Sequence, residues 1–249
     1  MYHPIRIGIL QYKPYGRNIA NVWFAAGSPG SADPVDETRR LLENIGGLEG
    51  DEAMTAKDLL ELNGDFRRSP LLDTARKLHR LLTQKKIPYV IIGGLSVIRN
   101  GAVRTTQDVD VLVRKEQWPE IQSALGRSFV IEVDAAVDRE TDVPVDFLYA
   151  GDDWDMIFPL PDPDDVAEYD SGLQANFLSL ISILELKTAV YLQKKRDSGI
   201  EIAAKDLADV VGLLTNNRER LSAQLLEKLH PVIRTELERI LGRLRKGKR

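Results

Sequence analysis

The sequence predicts an α+β fold, in which a small mixed β-sheet with flanking helices precedes a helical C-terminal part. Short apolar or alternating segments recur between residues 87 and 149. Alternation at every second residue is typical of a strand with one buried face. From Leu178 to the end of the chain the apolar residues return at helical spacing instead. Strands first and helices afterwards are the pattern of α+β proteins.

Residues 1–66 form an N-terminal extension for which the sequence predicts weak structure. Ile5 to Tyr12 is apolar enough for a strand, whereas residues 27–36 are rich in turn formers and indicate a loop. Residues 37–44 and 56–62 are compatible with short helices. No apolar pattern in this region is long enough to predict a core of its own.

The predicted core spans residues 67–170. Its first helix begins at Ser69-Pro70, because serine caps helix N termini well and proline suits the first helical position. The acidic, proline-rich stretch Asp152 to Asp170 is predicted to be a loop. The other predicted elements of the core are a strand over Ile87–Ile92, a helix over Leu95–Asn100, a strand over Asp108–Val113, a helix over Pro119–Leu125, and strands over Phe129–Asp134 and Val143–Tyr149.

Residues 171–249 are predicted to form a helical subdomain with a basic tail. The tail begins at Arg243, and five of its seven residues are Lys or Arg. Such a tail could contact RNA phosphates, although a solvated terminus has the same composition. The predicted helices cover Leu180–Lys195, Ala203–Leu214, Leu221–Leu229 and Val232–Leu244.

The composition narrows the classes of function. With 43% apolar and 29% charged residues, the chain has the balance of a globular protein. Cysteine is absent, which excludes disulfides and thiolate metal sites and fits the cytoplasm. No apolar run approaches the length of a membrane span, so we expect no membrane partner. The net charge of −4 argues against a uniformly basic surface for nucleic acid.

The most informative motif lies between Tyr89 and Val113. An apolar run ends in Gly93-Gly94, and after a gap of thirteen residues Asp108 and Asp110 stand one residue apart in an alternating segment. On a strand both carboxylates would project from one face. Two such carboxylates repel each other, and a divalent cation with oxygen ligands, Mg²⁺ or Mn²⁺, removes that conflict. The alternatives are a tight turn that binds nothing and a solvated strand face.

These residues resemble the signature of the nucleotidyltransferase superfamily, the DNA-polymerase-β-like fold. That signature is a Gly-Gly or Gly-Ser pair, a short helix, and Asp-x-Asp on the following strand. Within the superfamily the chain is most similar to the AbiEii-type (type IV toxin) nucleotidyltransferases, over roughly Leu71 to Leu214. The matching residues are Gly93, Gly94, Ser96, Gly101, Arg104, Thr106, Asp108 and Asp110.

The resemblance implies a role for each candidate residue. Asp108, Asp110 and a third carboxylate, Asp146, would hold the metal, with Asp134 and Asp142 as rivals of Asp146. Lys187 and Asp206 would complete the catalytic set on the C-terminal helices, where Lys187 faces the nucleotide. The segment from Lys205 and Asp206 to Asp209 resembles the family's Arg/Lys-Asp-x-x-Asp helix. Each also has a structural alternative: Lys187 on a solvated helix face, Asp206 as a helix cap or as the partner of Lys187. The residues implied in binding the nucleotide are Gly93, Gly94, Ser96, Arg104 and Thr106. For Arg104 the alternative is to brace its loop by hydrogen bonds to carbonyl groups.

The function implied is Mg²⁺-dependent transfer of a nucleoside monophosphate from an NTP to an acceptor, with release of pyrophosphate. Relatives of the AbiEii type point to tRNA or a protein hydroxyl as acceptor and to a cognate antitoxin as partner. An aminoglycoside-like small molecule is the alternative acceptor. A metal-dependent glycosyltransferase and a non-catalytic nucleotide-binding protein on the same fold are the rival classes.

Overall fold

The computed structural model describes residues 8–12, 19–23, 69–153 and 157–246. The chain divides into two compact units, residues 1–33 and 34–249. In the first unit, β1 (Gly8–Tyr12) and β2 (Ile19–Trp23) pair as an antiparallel ribbon. The strand predicted within Ile5–Tyr12 is therefore present, while β2 was not predicted. The loop at 27–36 and the helices at 37–44 and 56–62 lie outside the described residues.

The second unit contains a mixed sheet of seven strands in the order β5-β6-β7-β4-β3-β9-β8. Two neighbouring pairs, β4–β7 and β3–β9, are parallel, and the other four are antiparallel. This sheet with its flanking helices confirms the predicted α+β class. The strands are β3 (Val90–Ile91), β4 (Val109–Val113), β5 (Phe129–Ile131), β6 (Ala135–Asp138), β7 (Pro144–Tyr149), β8 (Ala167–Asp170) and β9 (Ala175–Leu178).

Eight α-helices are present among the described residues, and none of them is long and apolar enough to cross a membrane. The first is capped as predicted, since the Ser69 side chain accepts a hydrogen bond from the Leu72 amide. The helices are α1 (Pro70–Gln84), α2 (Gly93–Arg99), α3 (Trp118–Leu125), α4 (Pro163–Val166), α5 (Leu180–Ser198), α6 (Ile200–Asn216), α7 (Ala223–Leu226) and α8 (Pro231–Lys246).

The two faces of the sheet pack on different helices. Val109, Val111 and Val113 belong to the apolar cluster that contains residues of α1 and α3. Leu112 and Leu148 point to the opposite face and belong to the cluster built with α5, α6 and α8. Because side chains alternate along a strand, Asp110 and Asp146 share this second face with the two leucines.

Part of the predicted secondary structure is wrong. The stretch Asp152–Asp170 is not a loop throughout, because it contains α4 and the edge strand β8. The strand predicted over Phe129–Asp134 ends at Ile131, and the next strand, β6, was missed. The predicted boundary between residues 170 and 171 falls within the β8–β9 hairpin. Residues 175–178 therefore belong to the sheet.

Candidate active site

Three carboxylates meet where β4 and β7 run side by side. The parallel register places Asp110 opposite Asp146, and Asp108 lies directly before β4. Each of the three contributes one oxygen atom to a group in which all the atoms lie within 4.8 Å of one another. The predicted strand face and the predicted third carboxylate are therefore brought together. Asp146 is the most exposed of the three.

The glycine pair is needed for this arrangement. Gly93 has a φ of +57°, and a Cβ at this position would overlap the Asp110 carboxylate. A Cβ on Gly94 would lie 2.6 Å from the Thr106 Cβ and 3.1 Å from the Arg104 guanidinium carbon. Both glycines thus let the start of α2 approach the carboxylate-bearing strand β4 and the loop before it. Their predicted role in phosphate binding stays a prediction.

Thr106 positions one of the carboxylates. Its hydroxyl donates a hydrogen bond of 2.7 Å to Asp108 Oδ1. Because Asp108 precedes the strand, this bond fixes a side chain that the sheet ladder does not hold. The predicted contact of Thr106 with the nucleotide remains a prediction.

The carboxylate group has the electrostatics of a cation site. Burial, followed by the negative charge of Asp108, raises the pKa of Asp110 to about 6. Burial, followed by Asp108 and Glu132, raises the pKa of Asp146 as well. Oxygen-only ligands that repel one another in the folded chain fit a hard divalent cation such as Mg²⁺ or Mn²⁺.

At neutral pH we expect Asp110→Asn to raise the melting temperature of the metal-free protein by a few degrees. The pKa of Asp110 is raised from 3.8 to about 6, so its contribution to stability falls as the pH rises between these values and stays low above them. Added Mg²⁺ should stabilise the wild type and not the variant. Thermal melts with EDTA and with Mg²⁺ measure both effects, and the exposed Asp165→Asn is the control. An equal rise with Mg²⁺ in both proteins would contradict the site.

Lys187 lies inside the protein between two aspartates. It is 8% exposed, and its Nζ is 3.2 Å from Asp206 Oδ1 and 3.0 Å from Asp209 Oδ2. Desolvation opposes the charged form, but Asp209 and Asp206 outweigh it and raise the pKa of Lys187. The α5–α6 hairpin, which turns at Gly199 with a φ of +87°, brings these residues together. The predicted Lys187–Asp206 pair is therefore present.

Arg104 connects this charged cluster to the glycine turn. Its NH1 group is 2.9 Å from Asp209 Oδ2, and its Nε donates a hydrogen bond to the Thr105 carbonyl. The side chain thus braces its own loop and also lies beside Gly94. Contact with a phosphate stays a prediction for Arg104.

Ser96 lies where α2 packs against strands β3 and β9. The side chain is fully buried, donates a hydrogen bond to the Ile91 carbonyl and accepts one from the Leu178 amide. It therefore fastens α2 to β3 and β9. These contacts do not support the predicted role of Ser96 in binding the nucleotide.

The two rivals of Asp146 have other positions. Asp134 Oδ1 accepts a hydrogen bond of 2.6 Å from the Tyr149 hydroxyl. Asp142 lies in the turn between β6 and β7, with a φ of +57°. Neither belongs to the carboxylate group with Asp108 and Asp110.

Three further charged residues lie in this cluster; Lys205 and Asp209 were expected only as members of the motif around Asp206, and Lys194 was not expected at all. Asp209 binds both Lys187 and Arg104, and Lys194 Nζ is 3.0 Å from Asp206 Oδ2. Lys205 lies on the same turn of α6 as Asp206. A signal was present in the spacing: Lys187 and Lys194 are seven residues apart on one helix face, and Asp206 and Asp209 are three apart on another.

A family model, described as aminoglycoside-2″-adenylyltransferase, matches residues 75–158. The matched segment contains the glycine pair and all three carboxylates of the site. It confirms the predicted nucleotidyltransferase superfamily and the prediction that the chain is a nucleotidyl-transferring enzyme. The match ends before α5, so Lys187 and Asp206 lie outside it. The AbiEii-type subgroup is not shown by this match.

Among solved structures, ANT(2″)-Ia in complex with adenylyl-2″-tobramycin is 16% identical, with a TM-score of 0.45, over 67% of this chain and 96% of that one. A solution structure of ANT(2″)-Ia is 15% identical, with a TM-score of 0.45, over 71% and 96%. An antigenic nucleotidyltransferase-like protein from Paracoccidioides brasiliensis is 14% identical, with a TM-score of 0.41, over 59% and 76%. Among curated proteins none matches significantly. Similarity at this level does not extend a substrate to this chain.

Proposed function

We propose that the protein transfers a nucleoside monophosphate from an NTP to an acceptor hydroxyl and releases pyrophosphate, with a divalent cation held by Asp108, Asp110 and Asp146. The observation that carries the proposal is the group of three carboxylates on neighbouring parallel strands beside a glycine turn. The family match over the same segment supports it.

Asp146 is the residue best placed to receive the acceptor. It is the exposed member of the carboxylate group, whereas the other two are partly buried. In the proposed reaction the acceptor hydroxyl gives its proton to the Asp146 carboxylate, and its oxygen forms a bond to the α-phosphorus. The bond from the α-phosphorus to the bridging oxygen then breaks, and pyrophosphate leaves with that oxygen. A bound Mg²⁺ would neutralise charge on the phosphates during this displacement.

The nucleotide would lie on the opposite side, towards α5 and α6. The cations Arg104 and Lys187 are close enough to Asp110 to oppose the rise in its pKa. Both therefore place positive charge near the carboxylate group, where a triphosphate would bind. In this arrangement Lys187 and Asp206 serve as a fixed pair, because Asp206 holds the lysine in position.

A cationic small molecule is the acceptor that the site supports best. Glu132 is near enough to Asp146 to raise its pKa further, so the acceptor side of the site is acidic. Acidic groups favour amine-bearing acceptors and repel a phosphate backbone. The description of the matching family, an aminoglycoside adenylyltransferase, is consistent with this acceptor.

Transfer to tRNA or to a protein hydroxyl remains the second candidate. It rests on the resemblance of the Lys205-Asp206 and Asp209 segment to AbiEii-type toxins and on the basic residues from Arg243 onwards. A cognate antitoxin would accompany this function.

One labelling experiment tests the reaction and separates the acceptors. The protein is incubated with each α-³²P-labelled NTP and Mg²⁺, together with tobramycin-like aminoglycosides, total tRNA or cell lysate. We expect label in a small cationic product and stoichiometric pyrophosphate. Label in tRNA or protein, with growth arrest on expression that Asp108→Asn relieves, would favour the toxin function instead. Binding of NTP without transfer to any acceptor would contradict both.

A further inference from the structure

The loop between α2 and β4, residues 100–108, is fastened to the end of α6. The Asn217 side chain, which is 5% exposed, donates a hydrogen bond of 2.7 Å to the Asn100 carbonyl. The neighbouring Asn216 side chain donates one of 2.7 Å to the Gly101 carbonyl. Carbonyls at the end of a helix have no partner within that helix. The end of α6 therefore satisfies the two carbonyls with which the loop leaves α2.

The loop then runs back along α6 towards the charged cluster. A Cβ on Gly212 would lie 3.1 Å from the Ala102 Cβ. Three residues earlier on the helix, Asp209 Oδ2 is 2.9 Å from the Arg104 NH1 group. Positions 209, 212 and 216 are three or four residues apart, so they share one face of the helix. The loop is thus docked on one face of α6 over about two helical turns.

The far end of the loop carries a carboxylate of the proposed cation site. Thr106 lies against Gly94, where an added Cβ would be 2.6 Å from the Thr106 Cβ. The Thr106 hydroxyl donates a hydrogen bond to Asp108, the last residue of the loop before β4 begins. A displacement of the loop from α6 therefore changes the position of Thr106 and, through its hydroxyl, that of Asp108.

Gly212 is an unexpected residue for its position. It lies inside α6, a helix of 17 residues, where alanine would adopt the same backbone conformation. Glycine weakens a helix interior relative to alanine. Ala102 supplies a physical reason for the glycine, because two carbon atoms in ordinary contact lie about 3.5–4.0 Å apart. With alanine at position 212, the loop would have to move away by roughly half an ångström.

We propose that Gly212 is a positioning residue of the cation site. By leaving room for Ala102, it lets the loop dock on α6, and the docked loop sets the place of Thr106 and Asp108. This inference rests on the proposed function, because the divalent cation held by the carboxylate group belongs to that function. Gly212 acts through the loop and touches neither the cation nor a substrate.

The probe is Mn²⁺ alone, whose binding to the full chain removes the electron paramagnetic resonance signal of the free ion. We expect Gly212→Ala to weaken Mn²⁺ binding roughly tenfold, the lower end of the effect of losing a group that orients a metal ligand. Its melting temperature should stay within a few degrees of the wild type, because the gain in helix propensity and the close contact oppose each other. Asp110→Asn should remove the binding and so identifies the site.

Exchanging the two small residues tests the cause. When Gly212→Ala is combined with Ala102→Gly, the loop atom nearest to the new Cβ is the Cα of residue 102 at 3.9 Å, an ordinary contact. This double variant should bind Mn²⁺ like the wild type. Once the acceptor is known, Gly212→Ala should need about tenfold more Mg²⁺ for half-maximal transfer, and the double variant should not.

The control is Gly242→Ala, which makes the same change inside α8. Apart from the helix's own backbone, no atom of the described part of the chain lies within 4 Å of a Cβ added at this glycine. The substitution should raise the melting temperature by a few degrees and leave Mn²⁺ binding unchanged.

The outcomes distinguish this assignment from the proposed function. If the wild type binds Mn²⁺ and Gly212→Ala binds it equally well, the assignment of Gly212 is overturned and the proposed function stands. The same holds if the exchange with Ala102→Gly does not restore a lost affinity. If the wild type binds Mn²⁺ no better than Asp110→Asn does, the carboxylate group holds no cation, and the proposed function fails together with the assignment.

Discussion

Asp108→Asn and Asp110→Asn are each expected to reduce nucleotidyl transfer by roughly a thousandfold or more. A metal-binding carboxylate supports several kcal/mol of transition-state stabilisation, and each 1.4 kcal/mol corresponds to about tenfold in rate. Both residues belong to a group whose oxygens lie within 4.8 Å of one another, so loss of one charge leaves an incomplete cation site. Pyrophosphate release at saturating Mg²⁺ measures the effect.

Both substitutions should leave the fold intact. Asparagine has nearly the volume of aspartate, which matters for Asp110 because Gly93 packs directly against it. In Asp108→Asn the amide oxygen of the new side chain can still accept the hydrogen bond from the Thr106 hydroxyl. Asp165→Asn is the matched control, since Asp165 is exposed and does not belong to the carboxylate group. Near-wild-type turnover in either aspartate variant would refute the metal-site assignment.

The carboxylate strand could be predicted because its signal is local. Asp108 and Asp110 alternate with Val109 and Val111, and strand periodicity alone places the two acids on one face. Asp146 could be chosen because its strand is apolar on both sides of it. The parallel register that sets Asp110 opposite Asp146 is a tertiary property that no local pattern encodes.

The edge of the sheet could not be predicted from its pattern. In β8 three of the four residues are exposed, so Ala167 to Asp170 has the polarity of a loop. Its partner β9 has only four residues and directly precedes the cap of α5. Arg99 helps to hold this hairpin through ion pairs with Glu168 and Asp170, at sequence separations near seventy residues. Such long-range pairs leave no periodic trace in the sequence.

The contacts of Lys187 also could not be predicted from the sequence. The sequence indicates a helix with apolar neighbours but not which face is covered, and α5 buries residues on several sides. The two aspartates that surround the lysine come from α6. From sequence alone we expect Lys187→Ala to weaken NTP use without much loss of stability, and the buried position changes the second half of that expectation.

Lys187→Ala is expected to lower the free energy of unfolding by roughly 3–5 kcal/mol, the usual cost of removing one partner of a buried ion pair. Without the lysine, Asp206 and Asp209 lose a cation that each contacts within 3.2 Å. Lys194 and Arg104 would compensate only in part, because each reaches one aspartate. Denaturant unfolding measures the loss, with Lys195→Ala, a half-exposed lysine, as control.

A second substitution separates the effect of Lys187→Ala on catalysis from its effect on stability. Adding Asp206→Asn to Lys187→Ala removes one of the unpaired charges and should recover part of the lost stability. It should not recover activity if Lys187 contacts the nucleotide. We therefore expect the double variant to remain at least tenfold slower per folded molecule, on the order expected for loss of a charged phosphate contact. Recovery of activity together with stability would instead show that Lys187 acts only by holding α5 to α6.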